Sequence, residues 1–248
     1  DYENLKSQVV KWLGDYVLEN PSIKAFVVGV SGGIDSAVVS TLCAETGLPT
    51  YVLSMPLYSS HDNDRLSDDH TKALEAKYPN VTRIRVELSG VYDKFVHSLS
   101  WWTDSTKYVN NNLANANTKS RLRMVTLYQV AGSVNGIVVG TGNKVEDYGV
   151  GFYTKYGDGG VDIAPIADLY KTEVWELGKH LGVDERIINA PPTDGLWEDG
   201  RTDEDQIGVS YAELEEAMEL GTGPAVSVLK KFNTQNKHKM LPIPTFKL

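Results

Sequence analysis

The sequence predicts an α/β protein built on a mostly parallel sheet with helices on both faces. Residues 25–30 (AFVVGV) form a continuous apolar, β-branched run, which is typical of a strand buried on both faces of a parallel sheet. A Ser/Gly turn follows at once, and then a small apolar run that Gly47 ends, as a helix would. Because this alternation of strand and helix continues along the chain, we expect one α/β domain over residues 1–248.

The spacing of apolar residues, together with helix-breaking residues, predicts the remaining helices, strands and loops. Apolar residues at helical spacing predict a first helix that Asn20 and Pro21 end. The Asn-rich stretch 104–117 and the acidic, Gly-rich stretch 195–210 are expected to be loops, and the polar run before Pro242 and Pro244 predicts an extended tail. The predicted helices are 3–19, about 37–44, 63–78, 91–102, 117–134 and 171–181, and the further strands are 50–55, 81–88 and 137–140.

Composition limits the class of protein. The chain has 248 residues, 41% of them hydrophobic, and a single cysteine, Cys43, so a disulfide framework and a Cys-rich metal site are not expected. The sequence contains no secretory leader and no long apolar run, which favours a cytoplasmic protein without a membrane partner. A net charge of −9 argues against a nucleic-acid partner, because such partners usually require a basic face.

The segment GVSGGIDS lies directly after the first predicted strand and at the start of a helix. Unpaired N–H groups and the helix dipole favour an anion there, so we expect a phosphate-binding loop. The segment matches neither the usual P-loop nor the G-x-G-x-x-G fingerprint. Asp35 would repel a phosphate unless a cation intervened, and Mg²⁺ is the expected cation. The nucleotide-binding residues predicted here are Gly29, Val30, Ser31, Gly32, Gly33, Ile34, Asp35 and Ser36.

The string SGGIDS resembles the pyrophosphatase loop of enzymes that split ATP into AMP and pyrophosphate. Residues 140–168 (GTGNKVEDYGVGFYTKYGDGGVDIAPIAD), with KSRLRM at 119–124 and NKHKM at 236–240, resemble bacterial NAD synthetases. The resemblance runs from about residue 5 to the C-terminus, and FYTKYGDGGVDI is its most specific part. It implies a Rossmann-like fold of the adenine nucleotide α hydrolase kind.

The resemblance also implies site residues. The ATP site would include the loop together with Thr141, Lys171 and Thr193, and Mg²⁺ would lie on Asp35 and Glu146. Taken without the flanking motif, Glu146 is equally well explained as a solvated acid. The resemblance favours Arg121 over the neighbouring Arg123 as a substrate ligand. Deamido-NAD would be held by Arg121, Lys155, Asp162, His238 and Lys239.

The implied reaction is the ATP-dependent amidation of deamido-NAD to NAD, with AMP and pyrophosphate as products. Ammonia is the expected nitrogen donor, because about 30 residues precede the loop and a glutaminase domain does not fit there. Asp158 and Asp162 are both candidates to bind or deprotonate ammonium, and no catalytic base is assigned. The resemblance further implies a homodimer.

Two other readings compete with this one. A tRNA-modifying enzyme with the same loop, a lysidine synthetase or a thiolase, would need a basic face and, for thiolation, a catalytic cysteine pair. The acidic composition and the lone Cys43 disfavour it. A non-catalytic nucleotide-binding protein would keep the loop without turnover.

Overall fold

The computed structural model describes residues 1–99, 112–193 and 202–247. Its described helices, in chain order, are α1 (Tyr2–Glu19), α2 (Ile34–Glu45), α3 (His61–Lys77), α4 (Ser89–Ser98), α5 (Asn112–Ser133), α6 (Lys171–His180), α7 (Glu185–Ile188), α8 (Asp203–Ile207), α9 (Tyr211–Leu220) and α10 (Val226–Met240). The strands are β1 (Ala25–Gly29), β2 (Thr50–Ser54), β3 (Val81–Arg85) and β4 (Gly136–Val138). A six-residue π-helix, Val145–Val150, lies between β4 and α6 and is called the π segment below.

The four strands form one parallel sheet in the order β3-β2-β1-β4. Phe26 pairs with Thr50 on one side of β1 and with Ile137 on the other. The chain leaves β1 toward β2 and β3 and later returns to the opposite side, so the topological switch point lies between β1 and β4. Open α/β sheets bind ligands at the carboxyl ends of the strands at such a point.

Helices cover both faces of the sheet, as predicted. On one face, Phe26 and Val28 pack with α1, α2 and α6 around fully buried Leu13, Leu42 and Leu177. On the other face, the side chains of β1, β2 and β4 pack against α4 and α5. The π segment, α8, α9 and α10 share a separate apolar cluster. The predicted α/β class is therefore confirmed.

Most predicted boundaries agree with the structure to within a few residues; the third strand, two expected loops and the expected tail differ. The third strand ends at Arg85 and not at residue 88. The expected loop 195–210 contains α8, because Thr202 and Asp205 form a reciprocal capping box that begins a helix. Residues 112–117 of the Asn-rich stretch belong to α5, while residues 100–111 and 194–201 lie outside the described residues.

The expected extended tail is wrong for residues 233–240, which are the second half of α10. Two contacts explain the helix. Val226, Leu229 and Phe232 recur at helical spacing and pack on the cluster of the π segment and α9. The polar half of the helix donates side-chain hydrogen bonds to the π segment. Leu241, which precedes Pro242, ends the helix in an extended conformation.

Candidate nucleotide-binding site

The glycine loop after β1 has the backbone geometry that a bound anion requires. Gly32 has a φ of +93°, and a Cβ there would lie 2.5 Å from the carbonyl oxygen of Asn63, so a side chain is excluded. Ser36 Oγ accepts a hydrogen bond from the N–H of Ser31 at 3.1 Å and donates one to the carbonyl of Gly33. Gly33 is the N-cap of α2, so the first-turn amides of that helix are directed at the space above the loop.

This loop forms one wall of a cavity at the switch point. The opposite wall follows β4 and includes Thr141 and Gly142. Thr193 and Pro192 close one side, and Ser120 and Arg123 of α5 lie on another. Every residue predicted for the ATP site therefore lines a single cavity: residues 29–36, Thr141, Lys171 and Thr193, together with Glu146.

A buried ammonium group organises the charged floor of the cavity. Lys171, the first residue of α6, is 2% exposed, and its Nζ lies 2.5 Å from Asp35 Oδ2 and 3.1 Å from Glu146 Oε1. Burial alone would lower the pKa of Lys171, but the two carboxylates outweigh it and raise that pKa. Lys171 therefore remains positively charged at neutral pH.

The two carboxyl groups share this single cation and titrate as a pair. Burial is the largest influence on both pKa values. It raises the pKa of Asp35 beyond what Lys171 can offset. For Glu146 the attraction of Lys171 and a hydrogen bond from Tyr211 outweigh burial, so the pKa of Glu146 is lowered. The pair therefore loses its first proton, from Glu146, readily, and it loses the second, from Asp35, less readily.

Asn143 and Tyr211, which sequence analysis did not single out, fix the geometry of this pair. The Asn143 side chain is fully buried. Its Nδ2 donates to Asp35 Oδ1 at 3.2 Å, and its Oδ1 accepts from the N–H of Glu146 at 3.1 Å. The Tyr211 hydroxyl donates to Glu146 Oε1 at 2.7 Å, and burial raises the pKa of this phenol, which keeps it a donor. Asn143 followed three residues later by Glu146 is a local capping pattern, whereas Tyr211 is too distant in sequence to be inferred.

Two more acids lie on the cavity wall. Burial, followed by the negative charges of Glu146, Asp158 and Asp35, raises the pKa of Asp147 to about 8. Asp158 is solvent-accessible, but it sits in a concavity with protein on several sides, and this desolvation raises its pKa. Its Oδ1 accepts hydrogen bonds from the N–H of Thr154 and from Ser120 Oγ. Among the described residues that line the cavity, these four acids outnumber the two cations, Lys171 and Arg123.

The other candidate for binding ammonium, Asp162, accepts hydrogen bonds from β4 and α5. Its Oδ2 accepts from the N–H of Val138 at 2.8 Å, and its Oδ1 accepts from the Tyr128 hydroxyl at 2.9 Å. Cys43 is a buried residue of α2, and burial raises the pKa of its thiol, so it is not a reactive nucleophile.

The residues predicted for the dinucleotide lie apart from the lining of this cavity. Arg121 Nε donates to the carbonyl of Lys155 at 3.2 Å, which brings two of them together. His238 is exposed on α10. Lys239 Nζ donates to the carbonyls of Gly151 and Tyr153 at 2.6 and 2.7 Å. Arg123, the rejected alternative to Arg121, lines the cavity and donates to the carbonyl of Met55.

A glycine-rich loop and a helix N-terminus at the switch point of a parallel sheet define a nucleotide-binding α/β protein. The family model described as NAD synthase matches residues 5–240, and the chain belongs to this family. It is 39% identical to the NH(3)-dependent NAD(+) synthetase of Carboxydothermus hydrogenoformans over 96% of this chain and 95% of the relative.

Solved structures agree with this membership. The NMN synthetase of Francisella tularensis superposes with a TM-score of 0.89 at 34% identity and covers 100% of this chain and 99% of its own. The NAD⁺ synthetase of Burkholderia pseudomallei gives a TM-score of 0.74 at 26% identity over 96% of this chain and 90% of its own. The resemblance noted in the sequence is thereby confirmed.

Proposed function

We propose that this protein is an ammonia-dependent, AMP-forming ligase that converts the nicotinate carboxylate of deamido-NAD into the amide of NAD. The observation that carries the proposal is the SGGIDS loop, which opens onto a cavity shared with Thr141, Lys171 and Thr193 in a member of the NAD synthase family. Family membership does not favour the tRNA-modifying alternative.

The donor set of the cavity suits Mg²⁺. Asp35 and Glu146 present carboxylate oxygens, the ligands that Mg²⁺ prefers, and both side chains remain 16% exposed toward the cavity. Among residues 1–99, 112–193 and 202–247, no three His, Cys, Asp or Glu side chains converge as a metal site. A Mg²⁺ ion would therefore rest on these two carboxylates and take its other ligands from phosphate and water. When bound, it would neutralise charge on the departing pyrophosphate.

The chain's own groups would position the reactants. The loop amides and Ser31 would hold the β- and γ-phosphates of ATP while the substrate carboxylate attacks the α-phosphorus and the bond to pyrophosphate breaks. Ammonia then attacks the acyl-adenylate carbonyl, and AMP leaves. Lys171 would hold Asp35 and Glu146 in place and offset their charge, and no protein nucleophile is needed.

The ammonia site is best assigned to Asp158. Asp158 lines the cavity, and the two hydrogen bonds that its side chain accepts, from Ser120 and Thr154, both fall on Oδ1. Asp162 lies outside the cavity lining, and its two oxygens accept from Val138 and Tyr128. A carboxylate with a raised pKa is suited to accept a proton from ammonium before the attack.

Further parts of the proposal rest on the family resemblance. Arg121, Lys155, Asp162, His238 and Lys239 are proposed for deamido-NAD, and the single domain would use free ammonia in the cytoplasm. A homodimer is supported by exposed apolar side chains of the middle helices, including Val91 and Phe95 of α4 and Val125 of α5. No helix within the described parts of the chain has the length and apolar character to cross a bilayer.

A second candidate substrate is nicotinate mononucleotide, whose amidation by the same chemistry gives NMN. The observation in its favour is the higher TM-score with the Francisella NMN synthetase than with the Burkholderia NAD⁺ synthetase, 0.89 against 0.74. The adenylation site would be unchanged, and the two candidates differ only in whether the substrate carries an adenylate half.

One assay tests both candidates. The protein is incubated with ATP, Mg²⁺ and ammonium, with deamido-NAD or nicotinate mononucleotide in parallel, and products are resolved by liquid chromatography with mass detection. We expect NAD, AMP and pyrophosphate in a one-to-one-to-one ratio from deamido-NAD. A larger kcat/KM with the mononucleotide would establish the second candidate, and ADP as product, or no turnover with either acid, would refute the proposal.

A further inference from the structure

The π segment carries Glu146 and Asp147 into the cavity. The N–H of Gly151 donates to the carbonyl of Glu146, five residues earlier, which is the bond that defines a π-helix. Val145 and Val150 are also five residues apart, and both are fully buried in the cluster shared with α9 and α10. This spacing puts both valines on the core side, while Glu146 and Asp147 line the cavity.

The last turn of this helix leaves carbonyl groups that need donors from elsewhere. Helix α10 supplies three side chains at a spacing of three residues, which places them on one face. Asn233 Nδ2 donates to the carbonyls of Tyr148 and Gly149 at 3.3 and 3.1 Å. The next two donors continue the ladder: Asn236 Nδ2 reaches the carbonyl of Val150 at 2.9 Å, and Lys239 Nζ reaches those of Gly151 and Tyr153.

The approach of α10 to the end of the π segment is close. Gly151 has a φ of +66°, and a Cβ on it would lie 2.6 Å from Asn236 Cβ and 2.5 Å from Met240 Cε. A residue with a side chain is therefore excluded at this position by both backbone conformation and contact. The glycine and the donor ladder are two separate features that fit α10 to this segment.

We propose that Asn233 and Asn236, with Lys239, are positioning residues that hold residues 145–150 in the π form and thereby keep Glu146 and Asp147 directed into the cavity. π-helices are rare, because their hydrogen bonding is less favourable than that of an α-helix. Without the donors of α10, the segment gains by returning to α-type bonds. In an α-helix, residues five apart lie about 140° apart around the axis, so Val145 and Val150 can no longer share the core side. With Val150 held in the core, this change turns the start of the segment, and Glu146 and Asp147 with it, away from the cavity.

The catalytic part of this inference rests on the proposed function, whereas the structural part does not. Both parts are tested with Asn236→Ala, because alanine is the best helix former and does not weaken α10 itself. Gln235→Ala is the matched control, since Gln235 lies on the exposed side of the same helix. Asn233→Ala is the second variant, and it removes the neighbouring donor without touching the contact with Gly151.

Hydrogen exchange with mass detection reports on the segment itself. Loss of one hydrogen bond to a buried carbonyl predicts roughly 5–30-fold faster exchange in peptides covering residues 145–153. Exchange in α9 should be unchanged, and Gln235→Ala should match the wild type in both regions. In turnover assays, Asn236→Ala should raise the Mg²⁺ concentration required for half-maximal rate several-fold.

The outcomes separate the possibilities. Wild-type exchange of residues 145–153 in both Asn→Ala variants would overturn the inference, and so would equal acceleration across α9, which indicates general destabilisation. Local acceleration with an unchanged Mg²⁺ requirement would overturn the positioning role. If the wild-type protein amidates neither nicotinate substrate, the proposed function fails, whereas the exchange contrast still decides whether α10 holds the π segment.

Discussion

Lys171 provides the most direct test of the site, because its ammonium is the cation shared by Asp35 and Glu146. We expect Lys171→Met, which keeps the length of the side chain, to leave two buried carboxyl groups without their counter-ion. Removal of one partner from a buried ion pair costs about 3–5 kcal/mol. Both distances, 2.5 and 3.1 Å, and the 2% exposure of Lys171 show a close contact. Because both carboxylates are 16% exposed toward the cavity, solvent offsets part of the loss, and the free energy of unfolding near pH 8 should fall by about 3 kcal/mol, the lower end of that range.

The way in which the stability of Lys171→Met depends on pH tests the role of this cation more specifically. Without Lys171, burial raises the pKa values of Asp35 and Glu146 in the folded state. Groups with raised pKa values stabilise the fold at low pH and lose that contribution as pH rises, by up to about 1.4 kcal/mol per pH unit for each group. The variant should therefore lie closer to the wild type near pH 5.5 than near pH 8 in urea titrations.

A matched control and a refuting result complete this test. Lys179→Met removes an exposed ion pair with Glu176, and it should cost less than about 1 kcal/mol at either pH. If Lys171→Met unfolds within about 1 kcal/mol of the wild type near pH 8, or if its deficit is the same at both pH values, the account of a shared buried cation is wrong.

Three further predictions concern chemistry, substrate and acid stability. Asp35→Asn should abolish pyrophosphate release while the circular dichroism spectrum is retained; normal turnover with an unchanged Mg²⁺ requirement would remove Asp35 from the metal site. Lys155→Ala should raise KM for the nicotinate substrate by roughly ten- to a hundredfold, as expected for one charge-assisted hydrogen bond, and an equal rise in KM for ATP would contradict the division of sites. His70 is buried, with its Nε2 at 3.0 Å from Ser40 Oγ, and burial lowers its pKa from 6.5 to about 4. As pH falls, the imidazole is therefore protonated in the unfolded chain before it is protonated in the folded protein. The free energy of unfolding should fall as pH drops from about 6.5 toward 4. That loss should total about 3 kcal/mol, and His70→Gln should flatten it in urea titrations; an equally steep loss in the variant would assign the acid sensitivity to other groups.

The parts of the fold that sequence predicted are those specified locally. The run 25–30 marks β1 to within one residue, because a strand buried on both faces must be apolar throughout. The loop after it is predicted to bind phosphate from glycines and hydroxyls whose local geometry depends on their immediate neighbours, as Gly32 and Ser36 show. Features that depend only on immediate neighbours in the sequence keep their predicted structure in the folded protein.

The errors fall where distant segments decide the local structure. The polar half of α10 has a composition typical of a tail, and its helix is stabilised by contacts with residues 148–153, far away in sequence. The role of Tyr211 was not predicted for the same reason, since its hydroxyl donates a hydrogen bond to Glu146 from another helix. Asn143 was within reach of prediction, because the capping pattern Asn-x-x-Glu is visible in the sequence.

The acidic character of the cavity links composition to the proposed reaction. A chain of net charge −9 places Asp35, Glu146, Asp147 and Asp158 around the space where a triphosphate would bind. The cations among the described lining residues are Lys171 and Arg123, so the acids outnumber them. An anion alone is repelled there, so the cavity favours a nucleotide that arrives with its own cations. Divalent charge beside these acids would also lower the raised pKa of Asp147, since negative neighbours are among its causes. Binding of the metal nucleotide should therefore release protons from the protein, and isothermal titration in buffers of different ionisation enthalpy would measure that release directly.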